Sequence, residues 1–85
     1  MKFWQQIKYT VNCGGSDVVY IYSREDKKLY RIDERRDDTW NLNDPAHAKW
    51  ILRNIHSVPE SHIKMEEFTG NIQDARAEAK FIEYL

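Results

Sequence analysis

A chain of 85 residues can build only one small core, and its 41% hydrophobic and 32% charged content is too apolar for a disordered segment. The formal net charge of −1 argues against a general binder of polyanions, and the single cysteine excludes an internal disulfide. We therefore expect one domain covering residues 1–85, in the cytoplasm and outside the membrane, because no run approaches the roughly 20 apolar residues that span a bilayer.

The first half of the chain predicts three strands joined by short turns. Residues 2–12 alternate apolar and polar side chains, and the glycine pair at 14–15 permits a hairpin turn into a second strand at 18–23. The charged stretch 24–28 forms the next turn, and residues 29–34 form the third strand. Connections this short indicate an antiparallel meander.

The second half predicts a helix, a short strand and a second helix. After a polar loop, Asp44 can cap a helix that begins at Pro45 and runs to about Ser57. Residues 62–68 are predicted as a fourth strand and residues 72–84 as the last helix. The order β-β-β-α-β-α predicts an α+β domain, with a three- or four-stranded antiparallel sheet and both helices packed on one face.

The first predicted helix carries a tryptophan away from its apolar stripe. That stripe consists of Ala48, Ile51, Leu52, Ile55 and Val58. Trp50 lies on the polar side near Arg53, and both residue types are enriched at binding hot spots. The alternative is that the loop carrying Trp40, or the C-terminal segment, covers Trp50 as a lid on the core.

The second predicted helix carries two apolar stripes on opposite sides. One consists of Ile72, Ala75, Ala79 and Ile82, and the other of Ala77, Phe81, Tyr84 and Leu85. One sheet accounts for only one stripe, so the second predicts a contact with another element or another molecule. Together with the first helix, this gives five predicted partner-binding residues: Trp50, Arg53, Trp40, Phe81 and Tyr84.

The predicted strands have apolar side chains on both faces, although one small core requires only one such face. If Val19 and Ile21 face the helices, alternation gives the other face aromatic and basic side chains: Trp4, Lys8, Tyr20, Tyr22, Arg24, Leu29 and Arg31. Bases of single-stranded nucleic acid stack on such a surface, and a protein partner can also use it. With the opposite register of the second strand, Tyr20 and Tyr22 belong to the core instead.

Side chains that perform catalysis or bind metal form no recognised motif. Cys13 with a histidine is a conceivable thiol nucleophile, yet its neighbours match no nucleophile motif. His47 and His56 lie out of phase on one helix, and His56 with His62 supplies too few metal ligands. We expect no enzymatic activity, no cofactor and no bound metal.

These features favour a non-enzymatic binding or regulatory protein that docks a protein partner, with self-association as a homodimer also compatible. The small size, the 13% aromatic content and the missing catalytic motif are traits of accessory and inhibitory proteins of phages and mobile elements. The alternative function is a small nucleic-acid-binding module that uses the aromatic and basic sheet face.

Overall fold

The computed structural model describes residues 4–33, 36 and 38–82, the last three without their side chains. Its strands are β1 (Gln6–Asn12), β2 (Asp17–Ser23), β3 (Lys28–Ile32), β4 (Thr39–Asn41) and β5 (Ile63–Glu67), and its helices are α1 (Ala46–His56) and α2 (Ile72–Ile82), with a 3₁₀ turn at Glu60–His62. The strands form one antiparallel sheet in the order β4-β3-β2-β1-β5. In this part of the chain, no helix is long and apolar enough to cross a membrane.

The predicted α+β class with an antiparallel sheet is confirmed. The sheet has five strands because Thr39–Asn41, inside the predicted polar loop, forms β4 and pairs with β3. Three residues are too few for side-chain alternation to reveal a strand. The predicted strand at 62–68 corresponds to β5, and its ends shift by one residue each.

Local signals in the sequence set where both helices begin. The Asp44 carboxylate accepts a hydrogen bond from the Ala46 N–H at 2.9 Å, as expected for a cap at this position. The Asn71 side chain likewise accepts one from the Asp74 N–H at 3.1 Å. α1 ends where Ser57 adopts a left-handed conformation with a φ of 52°.

A tight turn joins β1 to β2 and fixes how the two strands pair. Residues 13–16 make this turn, in which Gly14 and Gly15 adopt positive φ values of 66° and 103° that favour glycine. The first pair outside the turn is Asn12 with Asp17. Odd-numbered residues of β1 therefore lie opposite even-numbered residues of β2.

This register corrects the predicted division of the sheet faces. Tyr20 lies opposite Tyr9, Tyr22 lies opposite Ile7, and directly paired residues project from the same face. Both Tyr20 and Tyr22 are consequently buried, with exposures of 0% and 1%, so the alternative register was the right one. Ile21 projects from the opposite face, because the side alternates at each residue along a strand.

The two helices pack on opposite faces of the sheet, and the prediction that both pack on one face is wrong. α1 covers the face that carries Tyr9 and Tyr20, which we call the α1 face. Its buried cluster consists of Ile7, Tyr9, Val11, Tyr20, Tyr22, Leu29, Leu42, Ala48, Leu52 and Ile63. α2 covers the other face, the α2 face, where Ile72 clusters with Ile21 and Tyr30. Both faces need a cover because β2 and β3 carry large apolar side chains on each side.

Candidate functional site

α1 leaves a tryptophan in solvent on the side away from the sheet. Ala48 and Leu52 are fully buried in the α1-face cluster. Trp50 lies midway between them in sequence, and a rotation of about 100° per residue turns it to the opposite side of the helix. Trp50 is 65% exposed, so the predicted exposure is confirmed and Trp40 does not act as its lid.

Polar side chains flank Trp50 on the outer side of α1. Arg53 and Asn54, three and four residues further along the helix, are both exposed. The Asn54 side chain donates a hydrogen bond to the Trp50 carbonyl at 2.7 Å, one helical turn away. We call Trp50, Arg53 and Asn54 the outer α1 surface. Ile51, which packs against the α1-face cluster, and Ile55, which is 42% exposed, belong to the apolar stripe.

Of the remaining predicted partner-binding residues, the structure describes the side chain of Trp40, which is not part of this surface. Trp40 in β4 is half-buried and packs on Tyr20, with 5.8 Å between the ring centroids, so it belongs to the α1-face core. Phe81 and Tyr84 lie outside the side chains that the structure describes, and so does the second apolar stripe that they were predicted to form. Ile72 and Ala75 of the first stripe pack on the α2 face, and Ile72 is buried.

The aromatic and basic sheet face predicted for nucleic acid is not an exposed surface. Tyr20 and Tyr22 are buried beneath α1, where no base can stack on them. Arg31 pairs with Tyr20 and shares the α1 face with them. Lys8 projects from the α2 face, because it pairs with Ile21. The inverted register of β2 against β1 had assigned Lys8 to the wrong face.

Trp4 and Arg24, two further residues of that set, line a shallow groove on the α1 face. The Arg24 Nε donates a hydrogen bond to the Trp4 carbonyl at 2.6 Å. The groove has a volume of about 260 Å³ and is lined by Trp4, Ile7, Tyr9, Arg24, Pro45, Ala46, Lys49 and Met65. Met65 on β5 is 41% exposed, because α1 does not reach over this part of the sheet.

The C-terminal end of α1 brings together a thiol, an imidazole and a phenol. His56 Nδ1 lies 3.4 Å from Cys13 Sγ, and His56 Nε2 lies 2.6 Å from the Tyr20 hydroxyl. The Arg31 guanidinium donates to the Tyr20 oxygen at 3.4 Å and forms an ion pair with Asp33 at 3.1 Å. We call these five side chains the His56 network. The sequence suggested a histidine for Cys13 but could not identify it, because 43 residues separate the two.

Burial and charge determine what the His56 network can do. Burial lowers the pKa of His56, and the Arg31 guanidinium lowers it further, so the neutral imidazole is favoured. Burial raises the pKa of Tyr20, which keeps its proton. Because the Tyr20 oxygen accepts from Arg31, its proton is free to bond His56 Nε2, which leaves the imidazole proton on Nδ1. In this tautomer His56 donates to Cys13, and its two contacts connect the C-terminal end of α1 to the β1–β2 hairpin.

No group of three or more histidine, cysteine or carboxylate side chains is placed to hold a metal ion in the part of the chain that the structure describes. The chain matches no protein-family model, and comparisons with curated proteins and with solved structures found no significant similarity. The function is therefore inferred from the exposed surfaces and from the chemistry of their side chains.

Proposed function

We propose that this protein is a non-enzymatic binding protein that docks a protein partner through the outer α1 surface. The observation that carries this proposal is the 65% exposure of Trp50. Complete burial of a tryptophan removes about 150–250 Å² from water, which at about 25 cal/mol per Å² is worth roughly 4–6 kcal/mol. Most of that free energy is left for an intermolecular contact.

The fold itself does not use the Trp50 side chain. Ala48 and Leu52 close the inner side of α1 completely, with no exposed area left at either residue. Residues exposed on the far side of a packed helix are ordinarily polar. A tryptophan beside an arginine at such a position is the composition of a binding hot spot, and Arg53 supplies that arginine.

The charge of α1 indicates the chemistry of the partner. α1 contains Lys49 and Arg53 and no carboxylate, and the Lys49 ammonium lies 3.1 Å from the Glu60 carboxylate. Arg53 is exposed next to the indole. The partner surface that fits is an apolar pocket for the Trp50 ring with carboxylates at its rim. Occupying such a pocket excludes other ligands from it, which is how an inhibitory or accessory protein acts in the cytoplasm, where Cys13 stays reduced.

The test uses the tagged full chain to capture partners from a nuclease-treated lysate of its source, followed by affinity measurements with the purified partner. Trp50→Ala should raise the dissociation constant at least 30-fold, equivalent to about 2 kcal/mol. Arg53→Glu should weaken binding less at high salt than at low salt, because its contribution is electrostatic. The control is Gln73→Ala, an exposed substitution on α2, which should leave binding unchanged.

Thermal unfolding separates a binding role of Trp50 from a structural one. Trp50→Ala should unfold at the wild-type temperature within a few degrees, because little of its area is buried in the chain. The proposal is contradicted if Trp50→Ala binds the partner as tightly as wild type. It is also contradicted if the variant loses stability comparable to a core deletion.

A further inference from the structure

β5 is an edge strand whose outer side has an ordered set of free backbone groups. Among the strands of residues 4–33 and 38–82, it is the last of the sheet and pairs only with β1. The Phe68 N–H donates to the Gln6 carbonyl at 3.1 Å, which makes this a hydrogen-bonded pair of the antiparallel ladder. Such pairs alternate along a strand, so Lys64 and Glu66 bond toward β1. The N–H and C=O groups of Met65 and its odd-numbered neighbours consequently point outward.

The side chains of β5 alternate in the same way. Met65 lies opposite Tyr9 and projects from the α1 face, where it is 41% exposed. Lys64 and Glu66 project from the α2 face, and both are exposed. Glu66 lies 3.7 Å from the Lys8 ammonium of the neighbouring strand. The edge thus presents Met65 and the exposed Glu67 on the α1 face, and two opposite charges, two residues apart, on the α2 face.

We propose that β5 pairs antiparallel with β5 of a second copy of this chain, centred on Met65. Because the outward backbone groups belong to odd-numbered residues, hydrogen-bonded pairs can form only between odd-numbered residues. With Met65 opposite Met65, Lys64 of each copy lies opposite Glu66 of the other, in the closer, non-hydrogen-bonded type of pair. The two Met65 side chains meet on the α1 face.

The charges on β5 favour this register over the two registers that are shifted by two residues. A shift by two residues in one direction places Lys64 opposite Lys64, and a shift in the other direction places Glu66 opposite Glu66. Like charges directly opposite are destabilising, so both shifted registers are disfavoured. In the central register the charges on the α2 face continue in alternation across the junction, from Lys8 to Glu66 to Lys64 of the second copy. Each β5 edge is therefore complementary in charge to the β5 edge of a second copy in the central register.

The geometry also defines how the dimer presents the rest of the molecule. Two antiparallel strands of one sheet are related by a twofold axis perpendicular to it, so both α1 faces lie on the same side. Both Trp50 side chains, on the solvent side of their helices, then project from one side of the dimer. The β5 edge is separate from the outer α1 surface, so the dimer can be tested without knowledge of the docked partner.

Sedimentation equilibrium of the purified full chain over a range of about 1 μM to 1 mM tests the pairing. The wild type should show a monomer–dimer equilibrium. Lys64→Glu alone, or Glu66→Lys alone, should raise the dimer dissociation constant at least tenfold, because each creates like-charge pairs at the junction. The double variant K64E/E66K should return it to within about threefold of wild type, since the opposite charges are restored. The control is Lys28→Glu, an exposed position in β3, which should not change dimerisation.

Two further measurements make the test specific for this strand and register. An equimolar mixture of the two single variants should form a heterodimer, because acidic β5 then meets basic β5. Met65→Pro should abolish dimerisation while the monomer keeps its circular dichroism spectrum, because the lost N–H points away from β1. A wild type that stays monomeric throughout overturns the proposal. So does a dimer that tolerates Met65→Pro or both single charge reversals, which would mean that another surface is used.

Discussion

The two faces of the sheet are each covered by an 11-residue helix, yet the two helices are held in different ways. On the α1 face, Tyr9 donates to the Pro45 carbonyl at 3.2 Å and Tyr22 donates to the Leu42 carbonyl at 2.7 Å, so sheet hydroxyls bond the segment that leads into α1. These groups are deeply buried, and burial raises the pKa of Tyr9 to about 12. α1 is therefore part of the core.

Among the described side chains of α2, Arg76 makes the polar contacts with the rest of the fold. The Arg76 guanidinium lies 4.8 Å from the centroid of the Tyr30 ring and donates to the carbonyls of Arg31 at 3.3 Å and Asp38 at 3.0 Å. Ile72 is the buried apolar contact of α2 among the described residues. The described part of the chain has its larger buried cluster on the α1 face, so we expect that face to contribute more to the stability.

The two faces should differ most in the free energy of unfolding that is lost when one aliphatic side chain is truncated on each helix. Leu52→Ala should lower the free energy of unfolding by about 3–4 kcal/mol, because Leu52 has no exposed area and its neighbours are themselves packed. Ile72→Ala should cost about 2 kcal/mol, since its surroundings are less completely buried and can close around the gap. Urea denaturation of both variants measures the difference. Equal losses would show that the two faces contribute equally.

A smaller difference is expected from deleting the same oxygen atom on each face. Tyr22→Phe should cost about 1–2 kcal/mol, because it leaves the Leu42 carbonyl without its buried donor. Tyr30→Phe should cost about 0.5 kcal/mol or less, because the Tyr30 hydroxyl bonds to Asp26, whose exposed carboxylate water can solvate. Thermal unfolding of the two variants under one set of conditions gives the comparison. A larger loss for Tyr30→Phe than for Tyr22→Phe would show that the hydroxyl on the α2 face contributes more to stability than the one on the α1 face.

The sequence predicted the elements well and their mutual arrangement poorly, for one physical reason. Alternation within β2 correctly separated Tyr20 from Ile21, because the period of two is a local property. Which of them shares a face with Tyr9 depends on the number of residues in the turn at 13–16, and a shift by one residue exchanges the faces. The placement of the helices failed for the same reason, because periodicity shows that each sheet face is apolar but does not show which helix covers it.

The features of the candidate site likewise differ in whether a local sequence pattern can reveal them. The exposure of Trp50 was predicted correctly, because helical periodicity compares positions within one helix. The His56 network joins residues that only the tertiary fold brings together, so no local pattern reveals it. The β5 register likewise follows from which backbone groups β1 already uses, and this is known only once the strands are paired.

The smallest expected effect is a loss of stability in mild acid that originates on the α1 face. Burial and Arg31 lower the pKa of His56 from its ordinary value of 6.5, so the unfolded chain binds this proton more readily than the folded one. The stabilisation from neutral His56 is therefore complete above pH 6.5 and is lost as the pH falls from there through the lower, folded-state pKa. The urea midpoint should accordingly decline between about pH 6.5 and pH 5, before most carboxylates titrate.

His56→Gln should remove this decline, because an amide can still bond the Tyr20 hydroxyl but does not titrate. The matched control is His62→Gln, an exposed histidine that should leave the decline in place. Amide hydrogen exchange at pH 5.5 should show earlier opening at the C-terminal end of α1 than in α2, because protonation weakens the bonds that His56 makes to the β1–β2 hairpin. A decline that persists in His56→Gln, or earlier opening of α2, would assign the acid sensitivity to another part of the molecule. The acid sensitivity would then not originate in α1, the helix that carries Trp50.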